Sequence, residues 1–150
     1  MITRPPERPS DPPTLESLEA ILRAQLESHR RLHVLLERKR EALRQADLEA
    51  ISADAVREQE LAHSLDRLER RRLALVAALA DAVDIPSDTS AAQLAERAEE
   101  PLRTRLLGLV AELRLAVERS RRESGVLRGA AEALATHLAG VLQSVHGVLS

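Results

Sequence analysis

Residues 101–147 read PLRTRLLGLVAELRLAVERSRRESGVLRGAAEALATHLAGVLQSVHG. Within them Leu102, Leu106, Leu109, Leu113, Val117, Ser120, Ser124, Leu127, Ala131, Leu134, Leu138, Val141 and Val145 recur at mostly alternating three- and four-residue steps. That is the spacing of a coiled-coil seam. Pro101 suits the first turn of such a helix, where its missing N–H costs nothing. At 1.5 Å per residue the stretch makes a helix of about 70 Å.

Upstream, residues 1–13 hold five of the seven prolines, a composition that cannot sustain helix hydrogen bonds, and they are expected to form a disordered leader ahead of a helical domain over 14–150. Met1 to Glu7 contain no apolar core of a secretory signal. Thr14 stands at an N-cap with Glu16 in the first turn. Leu15, Leu18, Leu22, Leu26, Leu32, Leu36 and Leu43 then form one stripe, which predicts a helix to about Ala46, roughly 50 Å long. Asp47, Ser52 and Asp54 are cap-type residues, so a turn or kink is expected between 46 and 54, although no Gly or Pro enforces it.

A looser stripe from Ile51 through Val56, Leu61, Leu65, Leu68, Leu75, Val76, Leu79 and Val83 predicts a second helix ending at Ile85-Pro86. Ser87 to Ser90 can cap a short helix from Ala91 to Ala98. The expected fold is therefore all-α: an antiparallel three-helix bundle of long coiled-coil-like helices, up-down-up, with one short extra helix. The difference in helix lengths predicts that the last helix overhangs the first two by roughly 20 Å at its C-terminal end.

Composition agrees. The 150 residues are 44% hydrophobic and include 27 Leu, 24 Ala and 10 Val, but no Phe, Tyr, Trp or Cys. Leu and Ala favour helix, and the β-branched and aromatic residues of a sheet are mostly missing. A core without aromatic residues must be built from aliphatic side chains alone. The absence of Cys excludes disulfides and thiol chemistry. The longest apolar run, Leu73 to Ala80, is eight residues and too short to span a bilayer, so no membrane span and a cytoplasmic location are expected.

Charge is mixed along most of the chain, with a net value of -2, which gives no concentrated positive field for nucleic acid. The runs Arg38-Lys39-Arg40, Arg70-Arg71-Arg72 and Arg119 with Arg121-Arg122 lack aromatic residues for base stacking and read as coiled-coil flanks. No phosphate loop, nucleophile elbow or Cys is present, so neither catalysis nor a cofactor is expected. His29 and His33 share a helical face with Glu37, yet no further ligand set accompanies them, and they read as seam or exposed histidines rather than a metal site.

From Gly125 to Ser150 only Arg128 and Glu132 carry full charges, while apolar residues cover more than one face. One stripe suffices for bundle packing. The surplus admits two readings: the last helix is central in its own bundle and buried on two sides, or it offers a docking face to a partner. An amphipathic membrane contact would call for Lys and Arg on the polar face, which is nearly uncharged.

The stretch Leu35-Leu36-Glu37-Arg38-Lys39-Arg40-Glu41-Ala42-Leu43, followed by Ala46-Asp47-Leu48-Glu49-Ala50-Ile51, resembles the FlgN-type flagellar export chaperones. Leu61, Leu65, Leu68-Glu69-Arg70-Arg71-Arg72 and Leu75 resemble that family's second helix, and the helix from Leu102 its third. The family's final helix often carries two Asn three apart before a Leu-Leu step; the matching stretch here is Ser120-Arg121-Arg122-Glu123-Ser124-Gly125-Val126-Leu127, without either Asn.

The resemblance implies a cytoplasmic chaperone that holds hook-filament junction proteins unpolymerised and hands them to the flagellar type III export apparatus. On that reading helical segments of those hook-associated proteins dock on Leu127, Leu134, Leu138, Val141, Leu142 and Val145. The alternative is a structural coiled coil, a scaffold or stalk-like export component, that pairs with its own copy as a homodimer.

Overall fold

Thr14 opens the first helix by accepting a hydrogen bond at Oγ1 from the Ser17 N–H at 3.1 Å. The computed structural model describes residues 13–149, so the expected leader lies almost wholly outside the described residues. Four helices follow in order: α1 (Leu15–Arg44), α2 (Leu48–Ala82), α3 (Ala91–Glu96) and α4 (Leu102–Leu149). The fold is all-α, as expected.

The break after α1 occupies only Gln45 to Asp47, and Ser52 and Asp54 lie inside α2. Ala46 adopts a left-handed conformation with φ 51°, and the Asp47 N–H reaches back to the Ala42 carbonyl at 2.9 Å. This is the wrap by which helices ordinarily end through Gly. Asp47 then caps α2, its carboxylate accepting from the Ala50 N–H at 3.1 Å. The same device ends α2 at Ala82, ahead of the expected stop at Ile85-Pro86: Asp84 has φ 61° and the Ile85 N–H bonds the Ala80 carbonyl at 3.0 Å.

Ala46 bears a Cβ where Gly bears none, at a conformation that costs an L-residue about 1–2 kcal/mol. The extra freedom that Gly has in the unfolded chain offsets part of this. Ala46→Gly is therefore expected to stabilise the fold by about 0.5–1 kcal/mol and raise the thermal midpoint by about 2 °C. A lowered midpoint would show that the turn is not strained.

α3 begins with a reciprocal capping box between Ser90 and Gln93 and stops at Glu96, short of the expected Ala98, as the chain tightens through bonds from Arg97 and Ala98 to Leu94 and Ala95. Ala98 nonetheless stays buried.

The helix directions follow from side-chain pairs. Gln25 meets Glu69 and Lys39 meets Glu58, so α1 and α2 are antiparallel. Arg105 meets Glu19, Ser120 meets His29 and Glu123 meets His33, so α4 runs parallel to α1. The up-down-up order therefore holds, but not the expected mutual packing of three helices. α1 packs extensively against both α2 and α4, whereas α2 and α4 scarcely meet. The central helix is α1, because Leu18, Leu22, Gln25, Leu26 and Ser28 are all buried and span about half of its circumference. A single stripe would have covered only one neighbour.

The core gathers at one end. Leu18, Leu22 and Leu26 of α1, Val76 and Leu79 of α2, Ala91, Leu94 and Ala95 of α3, and Leu106 and Leu109 of α4 form one cluster. α3 closes the base between α2 and α4 and supplies the small residues that let the helices approach. Toward the other end the contacts turn polar.

Candidate partner-binding surface

Above the core the α1–α4 seam is built from hydrogen-bonding groups. His29 Nδ1 lies 2.9 Å from Ser120 Oγ, and His33 Nδ1 lies 2.9 Å from Glu123 Oε2. Arg119 Nη2 approaches His33 Nε2 at 2.6 Å, and Glu37 lies 3.2 Å from the same nitrogen. Arg has no acceptor, so with respect to Arg119 the Nε2 accepts, which directs the Nδ1 proton to Glu123. Both histidines thus sit in the seam. Among the described residues no three His, Cys, Asp or Glu side chains are placed to hold a metal ion. Opposite, Arg38 and Arg57 flank the buried Asp54 at 3.2 and 3.5 Å, and Lys39 meets Glu58 at 3.2 Å.

These groups make the seam sensitive to acid. Burial pushes the pKa of His29 below the ordinary histidine range. Burial pushes the Glu123 carboxyl up, but hydrogen bonds from His33 and Arg119 outweigh it and hold the group below the usual carboxylate range. For Glu69 the hydrogen bond from Arg72 dominates in the same downward direction, opposed by burial and aided by Gln25. Each group binds its proton at a higher pH in the unfolded chain than in the fold, so stability present above the unfolded pKa drains as pH falls. His29 acts first, as pH falls through the ordinary histidine range near 6.5, and the carboxylates act only below their ordinary value near 4.5. The thermal midpoint should fall from pH 7.5 to 5.5, and His29→Gln, which can keep a bond to Ser120, should shrink that fall. An equal fall in the variant would remove His29 as the cause.

Beyond this seam the last helix outruns its support. The part-buried seam pairs His29–Ser120 and His33–Glu123 lie 91 and 90 positions apart in sequence. Extended along α4, that offset sets Arg44, where α1 ends, opposite about residue 135, and leaves an overhang of roughly 14 residues or 20 Å. The overhang matches the length expected from the sequence, and between residues 128 and 147 no side chain is fully buried.

The six residues expected on the docking face divide accordingly. Leu127 is 4% exposed and lines a small cavity with Leu36 of α1, so it belongs to the bundle and not to a free surface. It shares its place in the heptad with Leu134 and Val141; the presence of α1 opposite distinguishes it. Leu134 and Leu138 are half-buried, at the level of the Gln45–Asp47 turn. Val141, Leu142 and Val145 are 45%, 69% and 51% exposed. They continue the stripe that α4 applies to α1, with no helix of the described residues opposite.

Sequence reasoning passed over a second surface. Because α2 and α4 diverge over α1, an open cleft of about 380 Å³ lies between them, with Leu22 of α1, Glu69 and Arg72 of α2, and Val110, Leu113, Arg114, Val117 and Arg121 of α4 among its lining residues. The seven-residue interval from Arg114 to Arg121 to Arg128 was visible in the sequence. That the row borders a cleft was not. No helix among the described residues is long and apolar enough to cross a membrane.

Comparison with protein families matches residues 14–149 to the FlgN protein family. Neither the curated proteins nor the solved structures contain a match to the chain. A match over the whole helical region, on a fold of long helices with an unsupported apolar end, has one consequence: the chain belongs to the FlgN family of flagellar export chaperones.

Proposed function

We propose that this protein is a cytoplasmic chaperone that keeps hook-filament junction proteins from polymerising and delivers them to the flagellar type III export apparatus. The observation that carries the reading is the overhang of α4, on which Val141, Leu142 and Val145 stay exposed along the line of the seam. With Leu134 and Leu138 at its root, this stripe is a docking face for a helix of the unassembled client, the helix-in-groove mode. Side chains already ordered on a rigid helix lose little entropy on binding. The face is small, which suits a client that must later be released.

The test is capture of a purified hook-filament junction protein by the full chain and by the double variant Leu138→Glu, Leu142→Glu. Capture should be lost with the helical circular-dichroism signal intact; unchanged capture would overturn the placement. The same stripe also fits a second copy of this chain, the scaffold reading. Sedimentation separates the two, because a chaperone with a free face is expected to run as a monomer, and a stable dimer dissociated by the double variant would favour the scaffold.

A further inference from the structure

Arg114, Arg121 and Arg128 stand seven residues apart on α4, which places them in one row at intervals of about 10 Å. All three are exposed, and no carboxylate among the described residues is within ion-pair distance of any of them. The ion pairs of α4 lie elsewhere on it, at Arg103, Arg105, Glu112, Arg119 and Glu123. Glu118 shares the row and leaves the α4 side with two positive charges in excess. On the facing side Glu69 and Arg72 neutralise each other at 2.8 Å.

Arg114 and Arg121 line the cleft between α2 and α4. At Val117 and Arg121 the cleft adjoins a second hollow of about 320 Å³ that reaches His29, Ser124 and Arg128. From Val110 to Arg128 the two together follow α4 for about 27 Å, or five helical turns. The floor is aliphatic, at Leu22, Val110, Leu113 and Val117. A trough of this length over α1, left because α2 and α4 scarcely meet, is the place of a fourth helix in a bundle.

We propose that this trough receives one amphipathic helix of the client, with aliphatic residues toward Leu22, Val110, Leu113 and Val117 and carboxylates at seven-residue intervals facing Arg114, Arg121 and Arg128. The proposal rests on the chaperone reading and adds the chemistry of the client segment. A helix lying along α4 repeats with the same 10 Å period, so each guanidinium meets one carboxylate. A nucleic-acid strand spaces its phosphates far more closely and brings nothing to the aliphatic floor.

Two synthetic three-heptad helical peptides test it, identical on their Leu-Ala face and carrying either Glu or Lys at the seven-residue edge positions. Binding to the full chain is followed by fluorescence anisotropy at low and high salt. The Glu peptide should bind about tenfold more tightly than the Lys peptide, with the preference shrinking as salt is added. Arg121→Glu with Arg128→Glu should invert the preference, and Arg121→Gln with Arg128→Gln should bring it toward unity. Leu138→Glu with Leu142→Glu should leave it in place, so that failure of the overhang and failure of the trough are read separately. Equal affinity for the two peptides, a preference that survives the arginine variants, or displacement of the Glu peptide by a single-stranded oligonucleotide would each overturn the proposal.

Discussion

Leu106→Ala is expected to lower the stability of the bundle by about 3–4 kcal/mol. Leu106 has no exposed surface and belongs to the core cluster that also holds Leu18 and Leu22 of α1 and Leu94 of α3. Truncation there removes aliphatic contact and leaves a cavity that α3 is poorly able to fill, because its own core residues are mostly Ala. No aromatic ring elsewhere in the chain holds a reserve of burial. Against a domain stability of about 5–15 kcal/mol this is a large share. The thermal midpoint should fall by roughly 10 °C. Leu142→Ala, a similar truncation at a side chain 69% exposed, should move it by no more than about 1 °C. Comparable shifts from the two variants, read by thermal unfolding, would show that the core is not confined to the base.

The second large effect is on binding and spares stability. In the double variant Leu138→Glu, Leu142→Glu, two aliphatic side chains that each contribute roughly 1.5–3 kcal/mol on full burial are lost. Two carboxylates must also be desolvated against an apolar partner helix, or stay in water and hold it off. A combined loss above about 3 kcal/mol weakens client capture by more than roughly a hundredfold. The variant folds because α1 supports α4 only as far as about residue 135, and below that point every seam contact is untouched. Titration of the purified client against both proteins measures the ratio, and a ratio below about threefold would mean that the client docks elsewhere on the chain.

Much of this was legible in the sequence because it depends on local rules. Heptad spacing from Leu102 to Val145 predicts one long helix, and the constant rise of the α-helix turns residue counts into an overhang without any tertiary information. The thinning of charge after Gly125, with none beyond Glu132, likewise marks an apolar end before any neighbour is known. Caps at Thr14, Asp47 and Ser90 announce helix starts through a side-chain oxygen that is written in the residue type. The ends were harder to place. Both left-handed residues, Ala46 and Asp84, lack the Gly that would have signalled them, so the breaks were predicted too loosely or too late.

Which helix lies at the centre was not legible. An amphipathic pattern states that a face is buried but not by whom, and α4 has the longer seam while α1 has the wider one. Only the packed fold decided that α1 takes both neighbours, that Leu127 is sealed against Leu36 while Val145, in the same heptad frame, is bare, and that α2 and α4 part to leave a trough beside three unpaired arginines. The sequence by itself therefore determined the helices, their lengths and the apolar character of the last turns, since backbone geometry and side-chain spacing are local. Burial is a property of pairs of surfaces, and which of those surfaces remain open was settled only when the helices met.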